Sequence, residues 1–398
     1  MENKSLFSFQ LIILTSIFFF QFTELAFSDY WPQEKWRTSS PESQGMSSEI
    51  LSDMLDVLWK EDHKIDSIIV IRNGYIVLES YKYPEMKQHF KHQIYSCTKS
   101  VSSALIGIAI DKGYIKSINQ SLLEFFPEKS PFDQNASKLE ITLKHLLIMA
   151  TGLKCEDTKA YDFKGLKEMW QTEDWVQYMI DLPLIEQPGS RFEYCNGASS
   201  LLTAIIQKTT GGTAYEFAKK QLFSPIGIQD IHWKSHSGVT IGYSDLTMRP
   251  LDMARFGYLF LKDGKWNNRQ ILSPEWVAES TKKQINNSET DGYGYQWWII
   301  GPNIYAALGS HGQRIFVLKD QNMVVVFTGQ LKDVRDRQPD ELLYNYIIPA
   351  IKSGTPLPEN QPMRERLNLL NTQLQAPPPR FVNRNEVVES CITTCYEA

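Results

Sequence analysis

Ser96 and Lys99 stand three residues apart in Tyr95-Ser-Cys-Thr-Lys-Ser100, and the residues that follow decide what that spacing means. Val101, Ala104, Leu105, Ile108 and Ala109 recur at helical intervals and Gly113 is a natural stop, so a helix is predicted with Ser96 at its N-terminus. Residues three apart share a helix face, which brings the Ser96 hydroxyl within hydrogen-bond reach of the Lys99 amine with little conformational freedom to lose. Lys99 leads into an apolar helix, where desolvation lowers an amine's pKa from about 10.4 toward neutrality. The pair has the makings of a nucleophile beside its base. Backbone N–H groups of a helix's first turn lack intrahelical acceptors, so the N–H of Ser96 is a candidate donor to an oxyanion developing on a substrate carbonyl.

Spacing alone carries limited weight, because Ser-x-x-Lys is expected roughly once or twice by chance in a chain this long. A second copy, Ser280-Thr-Lys-Lys283, has no long apolar helix after it and reads as a solvated helix end. A second candidate stretch is Pro188-Gly-Ser-Arg-Phe-Glu-Tyr-Cys-Asn-Gly197. A buried tyrosine near a lysine can relay a proton from the serine to a leaving group, and an amide such as Asn196 can fix the lysine and a substrate carbonyl. Tyr194-x-Asn196 is a weak signal alone and gains meaning from lying before an apolar helix, well downstream of Ser96.

The elements that must hold these residues follow a simple order. Ser47 to Leu58 reads as a capped amphipathic helix, and Ser67 to Ser80 as two β-branched runs joined through Asn73-Gly74, a strong hairpin signal. From about 115 to 255 the pattern is helical and loop-rich without strand alternation. Strands return at Gly294 to Ile300, Ile304 to Leu308, Arg314 to Leu318 and Met323 to Thr328. Strands at both ends with helices between predict an α+β fold: an antiparallel sheet built from both termini, flanked by helices, with an all-helical insertion. The boundaries read as 1–28 for a signal peptide, 29–115 and 256–354 for the sheet part, 116–255 for the helical part of the same domain, and 355–398 for a Pro-containing tail. That tail, with Pro377-Pro-Pro379, is expected to wrap the surface or stay disordered.

With 398 residues, 42% hydrophobic content and a net charge of −5, the chain has ample core and no electrostatic footprint for nucleic acid. Leu6 to Phe22 with Ala26-Phe27-Ser28 resembles a secretory signal ahead of Asp29, although Lys4 beside Glu2 makes a weak n-region; a retained anchor is the alternative. Export, to the periplasm or outside the cell, is therefore the expectation. The cysteines, 97, 155, 195, 391 and 395, are odd in number, so at least one is free or bonded elsewhere. Cys97 and Cys195 read as small buried apolar residues rather than thiol nucleophiles, and Cys391 could pair with Cys395. His232 and His236 share helical spacing but lack a third ligand, and His145 reads as a satisfied core residue. No metal and no cofactor is expected, and no elbow, zincin, dinucleotide or Walker motif is present. Asn119, Asn135 and Asn286 open glycosylation sequons.

Taken together, the motifs resemble the class C β-lactamase-like serine hydrolases, which include penicillin-binding DD-peptidases, esterases and 6-aminohexanoate-dimer hydrolases. The resemblance runs from roughly Gln44 to Leu343. It rests on Tyr95-Ser-Cys-Thr-Lys-Ser, on Ile141-Thr-Leu-Lys-His-Leu-Leu-Ile-Met-Ala-Thr-Gly-Leu153, and on the Tyr194 stretch followed by Leu201-Leu-Thr-Ala-Ile-Ile. Leu222-Phe-Ser-Pro-Ile-Gly-Ile228 and Asp291-Gly-Tyr-Gly-Tyr-Gln-Trp-Trp298 add to it. It implies a β-lactamase/transpeptidase-like fold in which Ser96 is acylated, Lys99 is its base, Tyr194 the relay and Asn196 the positioning amide.

The family's third box, Lys-Thr-Gly or a His variant, is replaced here by Ser310-His311-Gly312. Gly312 would still let substrate approach the strand, and the N–H of Gln313 would be the second oxyanion donor. The cationic anchor is missing from this box; Arg314 could substitute for it, because on a strand it points to the same side as Gly312. Lys208-Thr-Thr-Gly211 mimics the missing box but sits at a helix end. Aromatics at Tyr293, Tyr295, Trp297 and Trp298 suggest an apolar pocket, with Trp297 taken as substrate-binding. The expectation is therefore a hydrolase of a small-molecule ester or simple amide. The alternatives are a DD-peptidase or β-lactamase anchored by Arg314, or a non-catalytic member that binds cell-wall peptide or another partner; the oligomeric state stays open.

Overall fold

Asn73 and Gly74 both take positive φ (52° and 77°), the backbone that closes a two-residue hairpin with the right twist, and they join β1 (Ile65–Arg72) to β2 (Tyr75–Tyr81). The computed structural model describes residues 30–376 except 33–34, 61–63, 84–88, 132–134, 158–162 and 333–336. The expected signal at 1–28, Pro377-Pro-Pro379 and the pair Cys391 and Cys395 lie outside the described residues. The chain divides into Met1–Tyr30 and Trp31–Ala398, and every element named here belongs to the latter.

Five further strands complete the sheet: β3 (Gly292–Tyr293), β4 (Trp298–Gly301), β5 (Ile304–Gly309), β6 (Gln313–Leu318) and β7 (Met323–Gly329). Its order is β3-β4-β5-β6-β7-β1-β2 with antiparallel pairing throughout, so the sheet is indeed assembled from both ends of the chain. β1, β6 and β7 are buried along their whole lengths, as strands covered on both faces must be. Alternation sorts their side chains: Ile68, Val70, Phe316, Leu318, Val325 and Phe327 enter one core with Leu51, Met54 and Leu55 of α1 (Ser48–Lys60). On the other face lies α4 (Pro250–Leu261), where Gly257 brings the helix close to Ile315 and Val324.

In sequence between the two groups of strands lie α2 (Thr98–Asp111) and α3 (Asn196–Thr210), packed on each other and largely buried. The stretch expected to be wholly helical also carries short strands. His232–Trp233 and Leu246–Met248 pair, and Leu246–Met248 pairs in turn with His92–Gln93 just ahead of Ser96. Ser235–His236 pairs with Val239–Thr240. Two- and three-residue strands leave no alternation to read.

The tail carries a helix that its prolines did not suggest. α5 (Gln361–Gln375) buries Leu367, Leu370 and Leu374 against α1 and β2, an i, i+3, i+7 stripe that outweighs the prolines around it. The strand expected from Gly294 to Ile300 is broken: Gln296 takes a φ of 62° and a turn at Gly294–Trp297 separates β3 from β4.

Candidate active site

Ser96 lies in a one-turn 3₁₀ segment, Tyr95–Cys97, that runs directly into α2. Backbone bonds hold the approach: Ile94 donates to Leu246 and Cys97 to Ile94. Tyr95 sits at φ 46°, an outlier for an aromatic residue, and its ring packs on His311 at 4.8 Å. Beneath the turn, Gly309 of β5 leaves no room for a side chain, since a Cβ would lie 2.4 Å from the Ile94 carbonyl. The serine is therefore pressed between α2 and the sheet.

Lys99 is buried, 1% exposed. Its Nζ lies 3.0 Å from Ser96 Oγ, 2.8 Å from Asn196 Oδ1 and 3.0 Å from the Tyr243 carbonyl, with the Tyr194 ring 4.8 Å away. Burial disfavours the ammonium and lowers the Lys99 pKa to about 7, against a smaller opposing pull from Asp157. Near neutral pH the amine lies close to its midpoint, within hydrogen-bond reach of the serine hydroxyl. Asn196 opens α3 at a depth where side chains cannot swing. Tyr194, two residues earlier, is half-buried, with its ring beside Lys99 and stacked on Trp298. Burial raises the Tyr194 pKa, so the phenol stays protonated across the neutral range and titrates apart from Lys99. The structure thus brings Ser96, Lys99, Tyr194 and Asn196 into one constellation.

The third stretch is different. Arg314 is buried, with Nε 3.2 Å from Asp340 Oδ2 and Nη1 donating to the carbonyls of Gly309 (2.7 Å) and Gln313 (3.0 Å). It braces the strand and offers no open cation, which corrects its expected role as carboxylate anchor. His311 takes a φ of 60°, and its Nδ1 meets the Leu331 carbonyl at 2.7 Å. Ser310 and Gly312 complete a tight turn in which the Gln313 N–H donates to the Ser310 carbonyl, so the expected second oxyanion donor is engaged. A Cβ on Gly312 would strike Leu331 at 2.9 Å, so this glycine serves the packing of the turn rather than the approach of substrate.

Trp297 is likewise corrected. It is fully buried, with Phe256, Phe260 and Tyr305 around it, and belongs to the core. The next residue, Trp298, stacks on Tyr194 at 5.9 Å and meets Tyr293 at 5.0 Å, with Phe192 completing an aromatic wall. The turn at Gln296 exchanged the two tryptophans. Gln296 also ties the helices together: it receives Ser199 Oγ (2.7 Å) and donates to the Leu146 and Leu147 carbonyls. Lys208-Thr-Thr-Gly211 is a helix C-cap as expected, with Gly211 left-handed. His232 and His236 occupy separate strands rather than one helix, and His236 stacks on Trp175. Among the described residues no group of three or more His, Cys, Asp or Glu is placed to hold a metal.

Two features escaped the sequence reading. Cys195 forms a disulfide with Cys155, 40 residues away, instead of being a free apolar residue; Cys97 is free and buried. Two residues beyond Cys155, buried Asp157 accepts the backbone N–H of Asn196 at 2.6 Å.

The sheet order and the helices around it define a β-lactamase/transpeptidase-like fold, and the chain belongs to the Beta-lactamase family, whose sequence profile matches residues 59–345. It is 22% identical over 289 residues to the 6-aminohexanoate-dimer hydrolase of Paenarthrobacter ureafaciens, covering 67% of this chain and 72% of that one. A Bacillus anthracis protein assigned as a 6-aminohexanoate-dimer hydrolase aligns with TM-score 0.66 and 21% identity over 83% of this chain and 89% of its own. A family VIII carboxylesterase aligns with TM-score 0.57 and 14% identity over 85% and 98%. The family is one of serine hydrolases with esterase and amidase relatives.

Proposed function

We propose that the protein is an exported serine hydrolase that cleaves a small ester or simple amide through an acyl-enzyme on Ser96. The observation that carries this reading is Lys99: a buried amine with its pKa lowered to about 7, held 3.0 Å from the serine hydroxyl by Asn196 and the Tyr243 carbonyl. Neutral Lys99 takes the Ser96 proton as Oγ attacks the substrate carbonyl, and the N–H of Ser96 meets the oxyanion. The Tyr194 hydroxyl gives its proton to the leaving group and is reprotonated from the Lys99 ammonium. Water then repeats the sequence on the acyl-enzyme, with Lys99 again as base.

An ester or amide is favoured over a carboxylate-bearing β-lactam or stem peptide because Arg314 is bound to Asp340 and strand carbonyls. A charge-assisted contact worth about 1.5–3 kcal/mol is thereby missing for an anionic substrate. Phe192, Tyr194 and Trp298, backed by the buried Tyr293, suit an apolar acyl or leaving group instead. Export is supported by the apolar N-terminal stretch and by the Cys155–Cys195 disulfide, which suits an oxidising compartment. The test compares p-nitrophenyl butyrate with a chromogenic cephalosporin. Faster ester turnover is expected; faster cephalosporin turnover, lost in Arg314→Ala, would overturn the substrate reading.

A further inference from the structure

Lys99 is the centre of the proposed chemistry, and the charge that answers it lies behind Asn196, on Asp157. The Asp157 carboxylate accepts two backbone N–H groups, Asn196 at 2.6 Å on Oδ2 and Leu166 at 2.9 Å on Oδ1. Asn196 in turn presents Oδ1 to Lys99 Nζ at 2.8 Å. The carboxylate, the amide and the amine thus form one chain into the site.

Three devices fix the near end of that chain. The Cys155–Cys195 disulfide ties the loop carrying Asp157 to the residue between Tyr194 and Asn196, with Cα atoms 5.6 Å apart. Gly165 lies so close to the loop that a Cβ would fall 1.7 Å from the Cys155 carbonyl. The Leu166 N–H, one residue on, closes on the carboxylate itself. Meanwhile the neighbouring Glu156 turns outward to Lys154 and Lys164, so those surface cations are taken up by a different acid. Among the described residues no salt bridge within 4 Å reaches Asp157, and the cation whose field it meets is Lys99.

We propose that Asp157 is a positioning residue for the reaction: it orients Asn196 and supplies the counter-charge for the Lys99 ammonium formed when Ser96 gives up its proton. The inference rests on the acyl-enzyme reading and deepens it. In the reactive form of the site Lys99 is the neutral amine and Asp157 the carboxylate. When the Ser96 proton moves to Nζ, the pair becomes ammonium and carboxylate, and the serine electrons go into the bond to the substrate carbonyl carbon.

Among the described residues, the groups that face this pair directly are neutral near pH 7, with Glu156, Glu168, Asp245, Glu289 and Arg314 acting on them from farther out. Lys99 faces the Cys97 thiol, whose pKa burial pushes up to about 12, and the phenols of Tyr194 and Tyr243, both raised by burial. Asp157 faces the same two phenols and that of Tyr178, which burial and Glu168 push up to about 12. Burial also raises the Asp157 pKa, while its two N–H donors pull the other way and favour the carboxylate.

The sign of the effect follows. Asp157 raises the proton affinity of Lys99, so removing its charge lowers the Lys99 pKa below about 7 and weakens the base. An opposite charge in direct contact shifts a pKa by about 1–3 units, and acting across Asn196 a smaller shift of about half to one unit is expected. The experiment measures the rate of inactivation by a fluorophosphonate between pH 5 and 9 for wild type, Asp157→Asn, Asp157→Ser and Asp157→Glu. The neutral variants should move the acid limb down by about half to one pH unit and lower the plateau about tenfold, while Asp157→Glu leaves the limb in place. An unmoved limb in whichever neutral variant folds, or an equal displacement in Asp157→Glu, overturns the proposal. If Ser96→Ala still reacts at the wild-type rate, the acyl-enzyme reading itself fails, whatever the Asp157 variants do.

Discussion

The Ser96–Lys99 corner and the Ser310–Arg314 turn, in contact through Tyr95 and His311, each bury a basic side chain, with opposite outcomes. Lys99 has neutral hydrogen-bond partners, Ser96 Oγ, Asn196 Oδ1 and a carbonyl, so burial outweighs the more distant pull of Asp157 and its proton is loosely held. Arg314 meets the Asp340 carboxylate and two carbonyls and is locked as a strut. An amine without a direct counter-ion becomes a base; a guanidinium with one becomes structure.

The largest loss is expected at Lys99. Lys99→Ala should lower the rate of ester hydrolysis by about 10⁴, the upper end for a positioned base, because nucleophile and base act as a unit. Less than a tenfold loss would remove Lys99 from the mechanism. Tyr194→Phe keeps the ring on Trp298 and removes only the hydroxyl, so KM should hold while kcat falls about 10²–10³. A KM effect with kcat unchanged would make Tyr194 part of the pocket instead.

Arg314→Ala sharpens the contrast from the other side. It strands Asp340, itself buried, with Arg337 3.8 Å away as the remaining cation. Unfolding in urea should show a loss of about 3 kcal/mol, the lower end for a broken buried pair, with ester kcat/KM changed only a few-fold. A large rise in ester KM with stability intact would restore Arg314 to the binding site.

Wild-type activity should fall tenfold per pH unit below about 7, where Lys99 becomes protonated, and reach a plateau above it, since the raised Tyr194 pKa puts no upper limb in the neutral range. For stability, the folded chain holds the Lys99 proton less tightly than the unfolded chain does. This group's contribution therefore improves as pH rises from about 7 toward the unfolded lysine range. A flat rate profile from pH 5 to 9 would exclude a titrating base.

Local spacing explains what the sequence made readable. Ser96 and Lys99 meet because residues three apart on a helical turn must, and Asn73-Gly74 turns because few other pairs tolerate its backbone. The sheet drawn from both ends followed from β-branched runs long enough to show alternation. What stayed hidden depends on contacts between distant segments. Asp157 and Asn196 are joined across 39 residues, Cys155 and Cys195 across 40, and Arg314 and Asp340 across 26. No periodicity links such positions. The exchange of Trp297 for Trp298 has a smaller cause: one residue at positive φ, Gln296, reverses the in–out parity of everything after it. Cys155-x-Asp157 beside Tyr194-Cys195-Asn196 was the one available hint, two cysteines each within two residues of a polar side chain.

The most direct measurement is to react the full chain with a fluorophosphonate probe, digest it and map the adduct by mass spectrometry. The account predicts a single adduct on Ser96, absent in Ser96→Ala and formed far more slowly in Lys99→Ala. No adduct, or an adduct on another serine with hydrolysis persisting in Ser96→Ala, would contradict it.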